Sequence, residues 1–297
     1  GSNTTDPYLT EAAGALSIEV RNDEMTITGT YHNLESPYDF NIQGGSHLKL
    51  GLPGEDGPNL FTLVPIEMDS VSGTYLAQSN TISISATDLS ILENRNMYAD
   101  IHTVERSNGA IRGMITPMLK GTFRANLGSV HHHHIMNDNA RGTAQVDLDV
   151  NNNIGVYGTF RDLPSSTNDF EGLITYRYGF DDDVRDIFSI NANFNSQDST
   201  AGSFLFGNNV MSADENMARE LMLRSHHINV DLNEGFGGVR GQILGLAQQY
   251  SFAKMNGYQM IPSQGGGSIK TAYIERVDNK LQFSGAVGSE SSTVSLH

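Results

Sequence analysis

The chain has 297 residues, with 34 acidic against 18 basic side chains and a formal net charge of −16. That balance argues against a nucleic-acid partner, which needs a basic face to displace counterions, and against docking on anionic lipid. With no Cys and 31 Gly, disulfides and thiolate metal sites drop out, and many turns without long apolar periods favour an all-β protein. No apolar run approaches the ~18 residues of a membrane span, so no membrane insertion is expected. No signal peptide is visible, and the chain reads as cytoplasmic or as a mature, processed form.

Taken in order, the chain opens a similar hairpin three times. The first is Gly14 to Val20, a polar turn at Arg21-Asn22-Asp23, then Met25 to Tyr31. The second is Gly142 to Val150, Asn151-Asn152-Asn153, then Ile154 to Phe160; the third runs from Gly267 through Asp278-Asn279-Lys280 to Val287. In each, a Gly stands on the apolar face of the second strand, where a missing side chain admits another backbone. The recurrence is domain-sized, too long for a solenoid.

The first two copies continue alike. Ser46 to Gly51 corresponds to Ile174 to Gly179, and Asn59 to Leu63 to Asp186 to Ile190. A short helix follows, announced by Ser85-Ala86-Thr87-Asp88 and by Ser212-Ala213-Asp214-Glu215. The second reads as a full capping box and the first as a looser one. Next comes a hairpin that organises each copy: Tyr98 to Val104, a turn through Gly109, and Ile111-Arg112-Gly113. It returns as His227 to Gly241, one residue shorter in the turn, with Asp231 in place of His102. Side chains alternate, so Tyr98, Asp100 and His102 share one face.

The copies differ at their leading edges. A strand, Gly121 to Leu127, precedes the second opening, and Tyr250 to Met255 precedes the third, whereas only residues 1–13 precede the first. Three segments follow: 1–118, a repeat missing its leading strand; 119–247, a full repeat; and 248–297, a leading strand and hairpin of a partial third.

The order of these features resembles the CHRD domain, a family named for chordin and widespread in bacterial secreted proteins. Gly54-Glu55-Asp56-Gly57-Pro58 matches that family's Gly-Glu-Asn-Gly-Pro turn, and Tyr98 to Thr103 with Gly109 to Gly113 matches its closing motif, which Gly237 to Ile243 matches again. The resemblance implies tandem antiparallel, Greek-key-like β-sandwiches, each with one short helix before the closing hairpin. It also implies a distant similarity in fold to copper–zinc superoxide dismutase, whose copper sits on a His-x-His pair and a further His. Here His47 matches the first His of the family's pair, but Lys49 replaces the second, and a cation repels a metal. His102 matches the later His. The second copy has Thr175, Arg177 and Asp231 at these positions.

Among other candidates, His131-His132-His133-His134 is an internal run that reads as an exposed loop with incidental metal affinity, the alternative being a zinc, nickel or copper site at a subunit contact. His226-His227 on a strand would face opposite sides. Asp147-x-Asp149 and Asp181-Asp182-Asp183 lack the spacing of a calcium loop and read as solvated turns. Arg112 and Arg240, each before a glycine (Gly113, Gly241), read as buried structural arginines paired to a carboxylate or loop carbonyls. No phosphate loop, Gly-x-Ser-x-Gly or catalytic constellation is present, so no enzyme is expected, and no cofactor beyond adventitious zinc, copper or calcium.

These features read together as a non-enzymatic extracellular or cell-surface protein whose partner is itself. The open first repeat would accept the strand of the third, with Tyr250, Phe252 and Met255 at the contact, giving a head-to-tail homo-oligomer. The alternative is a metal-binding, degenerate relative of the dismutases.

Overall fold

The computed structural model describes residues 10–129, 139–163, 174–178, 185–195, 197–198, 200–231, 238–245, 249–255, 270–277 and 280–285. The His131–His134 run and Asp181–Asp183 lie outside them. The chain divides into two compact units, the first essentially Gly1–Met118 and the second beginning at Leu119.

The first unit is a β-sandwich of two sheets. One sheet is ordered β1 (Ala13–Arg21), β2 (Glu24–His32), β6 (Ser72–Tyr75), β5 (Pro65–Asp69), with β7 (Thr81–Ser83) also on β2. The other is ordered β4 (Asn59–Thr62), β3 (Ser46–Leu50), β8 (Met97–Thr103), β9 (Arg106–Met114). Period-two alternation supplies the core: Met25, Ile27 and Tyr31 from β2 meet Leu48 of β3 and Met97 and Ile101 of β8. Gly29 is required in β2, because a Cβ there would lie 2.2 Å from the carbonyl oxygen of Ala15 on β1. The helix α1 (Ala86–Glu93) starts at a complete capping box: Ser85 accepts from the amide of Asp88, whose carboxylate accepts from the amide of Ser85.

The second unit repeats this plan with one consequential difference. Its main sheet runs β14 (Arg185–Ser189), β13 (Ile174–Tyr178), β18 (His226–Asp231), β19 (Gly238–Gly245), β10 (Leu119–Gly128), β11 (Arg141–Asp149), β12 (Asn153–Arg161), β16 (Gly202–Phe204), β15 (Ala192–Phe194). β17 (Val210–Ser212) pairs with β12, and α2 (Glu215–Met222) precedes the closing hairpin. The leading strand β10 therefore bonds on one side to β11, with Phe123 opposite Val146, and on the other to β19, with Ala125 opposite Ile243. It joins the two halves of the sandwich into one sheet. In the first unit no described strand lies between the corresponding β1 and β9, and both are sheet edges.

The difference is visible in burial. Ala144, Val146 and Leu148 of β11 are 0, 0 and 2% exposed, while the matching Leu16, Ile18 and Val20 of β1 are only half-buried. A third, separate sheet is ordered β20 (Gln249–Met255), β21 (Lys270–Val277), β22 (Lys280–Gly285). In it Phe252 stands opposite Tyr273, as Phe123 stands opposite Val146.

Two local expectations need correction. The cap of α2 is Asp214, whose side chain accepts from the amide of Met217, and not a Ser212–Glu215 box. An Asp nearer the first turn competes better for the free amides there. Asp147 is not a solvated turn residue: it is buried, and it accepts from Thr122 on β10 and from Gln145. Asp149 does hold a turn, accepting from the amides of Asn151 and Asn153.

Candidate functional site

The closing hairpin of the first unit turns one face to the apolar core and carries a buried polar cluster on the other. Met97 and Ile101 enter the core, so Tyr98, Asp100 and His102 project from the opposite face of the sheet. Register then fixes their neighbours: His47 of β3 is opposite Asp100, Lys49 is opposite Tyr98, and Arg112 of β9 is opposite Asp100. The Gly54–Pro58 turn covers this face. Arg112 donates to the carbonyl of Glu55 and to Asp56 (3.4 Å) and stacks 4.0 Å over the Tyr98 ring. The Tyr98 hydroxyl accepts from the amide of Gly57 at 3.1 Å.

Asp100 is the centre. Its side chain is 0% exposed, and its two oxygens face different imidazoles: Oδ1 is 3.4 Å from His47 Nδ1, and Oδ2 is 3.4 Å from His102 Nε2. Lys49 Nζ is 3.3 Å from Oδ2 and 3.0 Å from Asp56 Oδ1. Burial alone would raise the Asp100 pKa. The flanking His102 and His47 and the Lys49 ammonium outweigh it and hold the carboxyl well below the usual carboxylate range. Burial likewise disfavours the Lys49 cation, but the hydrogen bond to Asp56 and the Asp100 charge raise its pKa on balance.

Each imidazole is oriented by a backbone carbonyl. His47 Nε2 lies 3.1 Å from the oxygen of Gln43, and His102 Nδ1 lies 2.7 Å from that of Ser107. A carbonyl only accepts, so both of these nitrogens carry hydrogen. The Ser107 carbonyl reaches His102 because the ladder is irregular there: Ile101 pairs with Ile111, but Thr103 pairs with Arg106. The opposite nitrogens, His47 Nδ1 and His102 Nε2, make no hydrogen bond, and neither does either Asp100 oxygen. The three residues form a group whose ligand atoms all lie within 4.8 Å of one another.

A redox copper centre of the dismutase type needs more imidazoles than this. Among the described residues His47 and His102 are the two imidazoles of this cluster, and the position of the second His in the pair is taken by Lys49. Sequence reasoning named both histidines but missed Asp100. The signal available was its place between Tyr98 and His102 on one strand face.

The corresponding face of the second unit has the same register and different chemistry. Thr175 and Arg177 stand opposite Asn229 and His227, and Asn229 is opposite Arg240. The Asp100 position is thus a neutral amide. His226 and His227 are both buried: His226 Nδ1 lies 2.8 Å from the Tyr176 hydroxyl, and Arg240 donates to His227 Nδ1 at 3.5 Å. Arg112 and Arg240 occupy matching buried places, one residue before Gly113 and Gly241. The side chains of Tyr250, Phe252 and Met255 lie outside the described part, although their strand is within it.

Paired sandwich sheets, a short capped helix and a closing hairpin define an all-β sandwich repeat. Residues 1–115, within the first unit, match the model of the CHRD domain. No curated protein and no solved structure matches the chain significantly. CHRD is not an enzyme family, and its domains occur in secreted proteins. Among the described residues, no helix is long and apolar enough to cross a membrane.

Proposed function

We propose that this is a non-enzymatic extracellular structural protein that assembles head to tail, residues 248–297 of one subunit packing onto residues 1–118 of the next. One comparison carries the reading. A Cβ at Gly241 would lie 2.6 Å from the carbonyl oxygen of Asn126, because β10 passes beside β19. At the matching Gly113 of β9, nothing lies within 4 Å. The first unit keeps the glycine that admits a close strand but has no described strand there.

An open pair of edges flanking half-buried Leu16, Ile18 and Val20 is a template for an added strand. The strand of the right kind is β20, which precedes its hairpin as β10 precedes β11 and, among the described strands, is bonded on one side only. Entry of β20 between β1 and β9 of another subunit would complete that sandwich. Donor and acceptor surfaces differ, so the contact propagates into a filament unless a rotation closes it.

The test compares a chain ending at Gln248 with the full chain, by size-exclusion chromatography with light scattering and by electron microscopy. The full chain should form oligomers or filaments and the truncated chain should be monomeric. Identical monomers from both would end the proposal.

A further inference from the structure

We propose that His47, Asp100 and His102 form a binding site for a divalent transition-metal ion of the zinc type, with Asp100 as the ligand that joins the two imidazoles. Three buried residues converge with their ligand-type atoms toward one another. The two nitrogen–oxygen separations, 3.4 Å each, exceed the 2.7–3.2 Å range of N–H···O bonds. Each imidazole faces its own oxygen of one carboxylate, and the ligand atoms of the three residues lie within 4.8 Å of one another, close enough for a single ion to draw them in.

The inner nitrogens are also the ones placed to ligate. The Gln43 and Ser107 carbonyls hold hydrogens on the outer nitrogens, which leaves the inner nitrogens, the ones that face the carboxylate, as the atoms able to bind an ion. Four buried donor and acceptor atoms facing one another without a hydrogen bond are costly unless a proton or a metal ion lies between them. Donation of the far N–H to a backbone carbonyl is also what orients a ligating histidine and strengthens its basicity.

Lys49 and Arg112 are the charged groups that oppose the ion. Arg112 is directed to Glu55 and Asp56, away from the ligand atoms. Lys49 touches Asp100 but has Asp56 as a second partner at 3.0 Å, to which it can stay bonded when an ion takes the carboxylate. Lys49 therefore weakens the site without filling it.

The experiment uses the full chain carrying serine at positions 131–134, which removes the His run as a competing site, after treatment with a chelator. Zn²⁺ alone is titrated by calorimetry, and Co²⁺ is added separately to read four-coordinate binding as visible absorption. A single ion should bind. Asp100→Asn and the double change His47→Gln with His102→Gln should each lower affinity by about a hundredfold or more, as expected for loss of inner ligands when outer ones alone cost 10–100-fold. Lys49→Gln, which keeps all three ligands, should raise affinity by about tenfold, because it removes a like charge at close range. That gain does not depend on the ligand variants folding. Zinc binding that survives the double histidine change, or no binding in either the parent or the Lys49→Gln variant, would overturn the proposal.

Discussion

Matched alanine substitutions at Gly241 and Gly113 test whether the first unit has an unfilled strand position. At Gly241 the new methyl would meet Asn126 O at 2.6 Å, Asn126 C at 2.9 Å and Leu127 Cδ2 at 3.0 Å. Two of these are backbone atoms of β10, which is bonded on both sides and cannot yield alone. Overpacking of this kind costs about 1–3 kcal/mol, and a rigid backbone neighbour places it near 2 kcal/mol. At Gly113 no atom lies within 4 Å, and replacing a strand-interior glycine removes an entropic cost of about 0.5–1 kcal/mol. Gly113→Ala should thus leave the unassembled chain unchanged or slightly more stable, while obstructing assembly. Hydrogen exchange of the full chain, diluted below its assembly concentration, reads both units separately. Gly241→Ala should lower protection of β10 and β19 by roughly thirtyfold, the equivalent of about 2 kcal/mol. Gly113→Ala should not lower that of β9. Equal losses at the two sites would refute the reasoning, since they would mean that a strand already lies beside β9.

Asp100→Asn, with chelator present, removes the buried charge that faces Lys49 and should cost about 3 kcal/mol, near the low end for breaking a buried pair because Asp56 remains. The readout is a loss of exchange protection in β3 and β8 of roughly a hundredfold, and a change below fivefold would contradict it. Ser85→Ala should weaken α1 by about 1 kcal/mol. The wild type should follow at acid pH, because Asp88 is held below the usual carboxylate range by hydrogen bonds from the Ser85 hydroxyl and amide. A depressed folded pKa stabilises above the unfolded value of about 3.9 and is lost as pH falls below it. Protection of α1 that stays flat from about pH 5 to about pH 2 would count against this account. Replacement of His131–His134 by serine should move the melting temperature by less than about 2 °C, the size expected if the run is the exposed loop its sequence suggests. A larger loss would show that the run is structural.

Much of the fold was legible because strands and polar turns repeat. Period-two alternation placed Tyr98, Asp100 and His102 on one face, and comparing the copies pointed to the leading-strand position, where no strand is described in the first unit. The site was legible only in part. His47 lies more than fifty residues from Asp100 in sequence, and their meeting depends on β3–β8 register, which a slip of one residue would invert. The Ser107 carbonyl that orients His102 depends on the irregular ladder of β9, which spacing alone does not reveal. Asp147 looked like part of an acidic turn because its burial requires β10 alongside, a tertiary contact with no local signature.

Head-to-tail assembly is tested most directly by cross-linking across the proposed contact, which the Cys-free chain makes clean. In the second unit Arg124 of β10 stands opposite Leu244, beyond Gly241 on the β19 side. The matching positions are Ala253 and Thr116. Proteins carrying Ala253→Cys alone and Thr116→Cys alone, mixed and oxidised, should give a disulfide-linked heterodimer, and a chain carrying both should give a ladder of covalent oligomers. Monomers throughout, from samples whose thiols are reactive, would contradict the account.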